Sequence, residues 1–149
     1  MVIMYILGTA WLLYLLYRFY FKPIKTYDNV IYRSSFYRMI GLKKKEKQLY
    51  LWAMEEMELS SSEERDLMYV LGLWYSYEHN CSEAVKYFDQ AFQGYDKNFS
   101  YKKEFHYVID SYIECEKREK AKEILNFFLE RKKFDRKFIK LEKRYSNLL

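Results

Sequence analysis

Between Leu67 and Phe92 the apolar residues return at helical spacing: Leu67, Val70, Leu71, Trp74 and Tyr75, then Ala84, Val85, Phe88, Ala91 and Phe92. A short polar link separates the two groups, so the stretch predicts two amphipathic helices folded into a hairpin. Small residues, Gly72, Ala84 and Ala91, fall among large ones. They allow two helix backbones to approach while Trp74, Tyr75 and Phe88 fill the flanks. Asn80 with Ser82 marks a stop and restart, and Ser61 with Glu64 in "SSSEE" predicts a capping box at the start. Only 4 Gly and 1 Pro occur in 149 residues, too few for the tight turns of a sandwich or barrel. The expected fold class is all-α.

The spacing of Leu71-Gly72, Tyr75, Ala84, Phe88 and Ala91 resembles the tetratricopeptide repeat, a helix-turn-helix unit of about 34 residues. The resemblance covers about residues 65–98. It departs from the family where Asp96 replaces the usual Pro and His79 the inter-helix Gly. A second copy, about 102–135, places Val108-Ile109, Tyr112, Ala121, Leu125 and Phe128 at the same offsets, 37 residues downstream, with "KNFSYKK" as a long link. A first copy, about 27–60, keeps Tyr37, Gly41, Tyr50 and Ala53 but has Ser34 and Glu46 where small residues are expected. Phe134, Phe138, Leu141 and Tyr145 then predict one face of a capping helix over 136–149.

The resemblance implies an α-solenoid of about three hairpins whose first helices line a concave, protein-binding surface. The side chains expected there are Tyr69, Leu73, Ser76 and Tyr77 from the middle repeat, His106, Asp110 and Ile113 from the next, and Arg38 from the first. A subclass of the family grips a terminal carboxylate with Lys and Asn at these places. Tyr69 and Leu73 stand there instead, so that ligand is not implied. The groove suits an extended or helical segment of a partner protein through tyrosine anchors.

In front of the repeats, Val2 to Tyr17 carries no charge, and Phe19, Tyr20 and Phe21 extend the apolar run to roughly 20 residues, or roughly 30 Å of helix. Residues 1–21 are therefore expected as a transmembrane helix and 22–26 as a juxtamembrane linker. Pro23 ends the helix, and the run lacks the leading charges of a cleaved signal peptide. Arg18, Lys22, Lys25, Arg33 and Arg38 all follow it, which predicts a single-pass protein of the cell membrane with the C-terminal domain cytoplasmic. Eight basic residues between Lys22 and Ala53 face two acids, Asp28 and Glu46, a cluster that suits anionic lipid. The charge forms no continuous stripe, so nucleic acid is not an expected partner.

Cys81 and Cys115 show no paired spacing and are expected as free thiols in a reducing compartment. With His79 and His106 the only histidines, no metal site is expected. HExxH, GxSxG and a phosphate-cradling glycine loop are missing from the sequence, so no catalytic residues, no enzyme activity and no cofactor are expected. These features together predict a membrane-anchored adaptor or scaffold. The alternative is an immunity or antitoxin-type protein that neutralises one toxin at the membrane.

Overall fold

Helix is the only regular structure among the residues described, which in this computed structural model are 2–18, 22–95 and 99–149. The chain divides into two units, Met1–Leu59 and Ser60–Leu149. The first holds α1 (Val2–Leu16), α2 (Tyr27–Met39) and α3 (Lys43–Glu56); the second holds α4 (Ser61–Tyr77), α5 (Cys81–Phe92), α6 (Phe105–Glu114), α7 (Arg118–Leu129) and the short α8 (Ile139–Arg144).

The expected transmembrane helix is not found. Helix α1 has 15 residues, about 22 Å at the ordinary helical rise against a bilayer core of about 30 Å. Among the described residues no helix is long and apolar enough to cross a membrane. The α-helical bonding ends at Leu16, Tyr17 and Arg18 continue in the wider π-helical turn, and the Lys22 amide bonds the Tyr17 carbonyl. Residues 19–21, counted into the expected span, lie outside the described residues.

In the first unit, α2 starts at Thr26, whose hydroxyl accepts the Asn29 amide, and pairs with α3. Ser34 and Glu46, the two residues that break the small-residue pattern, are both buried, as are Tyr50 and Ala53. Glu46 is accommodated by Arg38, whose Nε and Nη2 donate to its Oε1 at 2.9 and 2.5 Å, and by the Tyr50 hydroxyl at 3.1 Å. The pattern position is thus filled by an ion pair in place of a methyl group. That hydrogen bond to Glu46 is the main reason the Arg38 pKa is raised, while burial raises that of Tyr50.

All three hairpin turns close in one way. The amides of Leu42, Asn80 and Lys117 bond the carbonyls of Tyr37, Tyr75 and Tyr112 at 2.8 to 2.9 Å, and Gly41, His79 and Glu116 just before them have positive φ. This is the paired-bond helix ending usually made by glycine in the left-handed region. Only Gly41 meets that preference, and His79 and Glu116 adopt the conformation without it. The turns lie 38 and 37 residues apart, so the structural period is longer than that of the family the sequence resembles.

In the second unit, Leu67, Leu71, Ala84, Phe88, Val108, Ile109, Ala121, Leu125 and Phe128 are fully buried. Gly72 lies against Phe88: a Cβ built on it would stand 2.5 Å from Phe88 Cε1. The side chain missing at Gly72 is what lets α4 and α5 meet. Gly72→Ala is expected to cost about 1–3 kcal/mol, because the Phe88 ring is itself enclosed and has nowhere to rotate. A lowered denaturation midpoint with an unchanged slope checks this.

Helix α4 begins one residue earlier than the sequence pattern indicates. Ser60 and Glu63 form the capping box, with the Ser60 amide donating to Glu63 Oε2 at 2.8 Å; Ser61 and Glu64 do not. Asn80 does cap α5, accepting the Glu83 amide. The C-terminal segment is not one helix over 136–149. After two 3₁₀ turns, Glu130–Lys133 and Arg136–Phe138, only Ile139–Arg144 is α-helical. Asp135 makes the break, accepting the amides of Lys137 and of Tyr101. Phe138, Leu141 and Tyr145 are buried as expected, whereas Phe134 is 76% exposed beneath the Arg131 guanidinium.

The two cysteines are joined. Cys81, the first residue of α5, and Cys115, which ends α6, form a disulfide with a Cα–Cα distance of 5.6 Å. The free-thiol expectation is overturned because α5 and α6 pack together, bringing the start of one to the end of the other. A separation of 34 residues gives no sign of this by itself.

Candidate partner-binding face

Helices α4 and α6, the first of their hairpins, pack on each other, and a hydrogen bond of 3.0 Å between Ser76 Oγ and Ser111 Oγ joins them inside the protein. Ser111 Oγ also donates to the Tyr107 carbonyl at 2.7 Å. Ser76, expected to project into a groove, is instead a buried inter-helix contact. Leu73 is likewise part of the core.

Tyr69 is drawn inward as well. Its ring lies 6.0 to 6.2 Å from those of Phe88, Phe92 and Phe105, and Lys102 Nζ sits 4.9 Å from its centroid. Its hydroxyl is buried with no hydrogen-bond partner among the described residues, and this burial pushes its pKa well above the usual phenol value. An aromatic residue on an inner helix packs inward whenever other aromatic rings surround it, which residue spacing alone does not reveal.

His106 and Asp110 meet the C-terminal segment. The Tyr145 hydroxyl bridges Asp110 Oδ1 at 2.7 Å and the His106 carbonyl at 3.0 Å, and Arg144 Nη2 donates to Asp110 Oδ2 at 3.0 Å. Burial, followed by the bond to Asp110, raises the Tyr145 pKa. The His106 ring is tied by Nδ1 to the Lys103 carbonyl at 2.6 Å. Arg38 belongs to the first unit and is engaged with Glu46. Of the eight residues singled out from sequence, Tyr77 and Ile113 are the two exposed apolar ones, at 48% and 40%.

Those two stand near the C-terminal ends of α4 and α6, and the Cys81–Cys115 disulfide lies at the same ends. The Tyr77 ring meets Tyr107 edge-on with centroids 4.8 Å apart, and His79 Nδ1 lies 3.9 Å from Glu114 Oε1. Tyr107, His79 and Glu114 were not singled out from sequence. Their signal was available in part, since Tyr107 follows His106 on the same helix and His79 marks the turn. The resulting patch is apolar at its centre and polar at its edge, and the disulfide ties the end of α6 to the start of α5, just after the turn that follows α4.

On the other side of α5 and α7 lies an open groove of about 290 Å³ lined by Asp89, Phe92, Tyr112, Lys120, Glu123 and Phe127 among others. Four of its polar groups pair with one another: Lys120 with Glu123 at 2.7 Å, and the Tyr112 hydroxyl donating to Asp89 at 2.7 Å. No group of three or more His, Cys, Asp or Glu suited to a metal ion occurs among the described residues. No protein-family model matches this chain, and neither the curated proteins nor the solved structures contain one significantly similar to it.

Proposed function

We propose that the Ser60–Leu149 unit is a protein-binding module of the tetratricopeptide-like kind, an adaptor that holds one partner on the exposed ends of α4 and α6. The observation that carries this reading is the pair Tyr77 and Ile113, exposed on successive first helices beside a disulfide. An aromatic anchor on a rigid support loses little conformational freedom on binding, which is where affinity is most readily gained. The His79 and Glu114 side chains form a polar rim beside that anchor.

A photo-crosslinker at position 77 of the full chain, expressed in its native cell, identifies the partner. Tyr77→Ala and Ile113→Asp are each expected to weaken the purified pair by about 2 kcal/mol, roughly 30-fold. Lys86→Glu and Lys122→Glu, on the outer helices α5 and α7, are expected to leave it unchanged. Full binding by both inner variants, with loss in the outer ones, assigns the contact to the other side of the unit and overturns the reading.

A further inference from the structure

The largest exposed apolar surface among the described residues belongs to α1. From Met4 to Leu16 every residue is exposed except Leu15, which is half-buried, and the helix has no polar stripe. A partner groove covers one face of a helix; a helix apolar on all sides matches hydrocarbon. Immediately after α1 the chemistry reverses. Arg18, Lys22 and Arg33 line a pocket of about 280 Å³ together with Asp28, Asn29 and Tyr32. Three cations thus face one carboxylate.

The pocket is built as well as charged. The Arg18 guanidinium lies 4.8 Å from the Tyr32 ring centroid, and Arg33 Nη2 donates to the Lys22 carbonyl, tying α2 to the segment ahead of it. Asn29 Oδ1 accepts the Lys25 amide, and Thr26 caps α2 beside it. Arginine held against an aromatic face is preorganised for a phosphate oxygen.

We infer that this pocket receives the phosphate of an anionic glycerophospholipid while α1 lies among the acyl chains of the same leaflet. The occupant follows from the juxtaposition: a phosphate and a hydrocarbon chain joined within one molecule meet a cationic pocket and an apolar helix joined within one segment. The helix enters the bilayer without the length to cross it. Tyr5, Trp11, Tyr14 and Tyr17 give it rings suited to the headgroup boundary.

Vesicle sedimentation with the full chain tests this, using phosphatidylcholine alone and equal parts phosphatidylcholine and phosphatidylglycerol. Binding is expected to be stronger on the anionic vesicles, and Arg18→Gln with Lys22→Gln together are expected to remove about 25-fold of that affinity, at about fivefold per basic residue. Lys43→Gln with Lys44→Gln removes the same charge outside the pocket and is expected to cost severalfold less. Equal losses from the two pairs mean general electrostatic attraction and overturn the pocket. Leu12→Asp with Leu13→Asp is expected to weaken binding to both vesicle types; unchanged binding overturns the role of α1. Inorganic phosphate bound in solution without any vesicle binding assigns the pocket to a free anion. A concentration-dependent dimer that ignores vesicles assigns α1 to a second copy. Either result overturns the inference.

Discussion

Replacing both cysteines, C81A/C115A, is expected to destabilise the Ser60–Leu149 unit by about 4 kcal/mol. The disulfide closes a loop between residues 34 apart, and the loss of loop entropy from the unfolded chain at that length has about this magnitude. The loop contains α5, the link to α6 and α6 itself, so the bond restrains the two helices that carry much of the aromatic core. Denaturant unfolding of the full chain, oxidised and reduced, against the double variant measures the effect. The reduced protein and the variant are expected to coincide. Two maleimide-reactive thiols in protein isolated without reductant would refute the bond. Disulfides persist in oxidising compartments, so trapping thiols at the moment of lysis also tests the cytoplasmic location expected from the basic residues after α1.

Arg38→Ala is expected to cost the α2–α3 hairpin about 3 kcal/mol, the scale for a buried charge that loses its partner. Glu46 is wholly enclosed, its Oε2 already has no hydrogen-bond partner among the described residues, and Arg38 supplies the positive charge to its Oε1. The Arg38 side chain is 64% exposed, so water entering the vacated space sets how much of that cost appears. Adding Glu46→Gln is expected to restore at least about half of it, because the amide oxygen still accepts from Tyr50 while the charge is gone. Amide hydrogen exchange of peptides within residues 27–56 reads this locally, a loss of about 3 kcal/mol being roughly 150-fold in protection. Equal destabilisation of Arg38→Ala with and without Glu46→Gln would show that the guanidinium acts through packing.

The helices themselves were legible in the sequence. The period of Leu67, Leu71, Ala84, Phe88 and Ala91 reports burial directly, and all five are buried. That Gly72 allows a close helix approach was readable for the same reason, but its opposite number was not: the sequence pattern sets Phe88 on the flank, whereas the ring lies directly against Gly72. Register shifts of one residue, as with Ser60 and Ser61 at the start of α4, escaped because three successive serines offer the same chemistry and only the backbone selects among them.

The expected contact face was less legible. Tyr69, Leu73 and Ser76 occupy offsets that resemble groove positions, yet the link residues Phe99 and Tyr101 and the C-terminal segment enlarge the aromatic core around α6 and draw neighbouring side chains inward. The Asp110 carboxylate is taken up by Tyr145 and Arg144, 35 and 34 positions away, and the Tyr145 hydroxyl also reaches the His106 backbone carbonyl. Local periodicity determined which elements form and which side of each is apolar, because both depend on neighbours within one or two turns. Which polar side chains stay on the surface and which two cysteines meet depend on contacts between distant segments, and those only the tertiary structure decided.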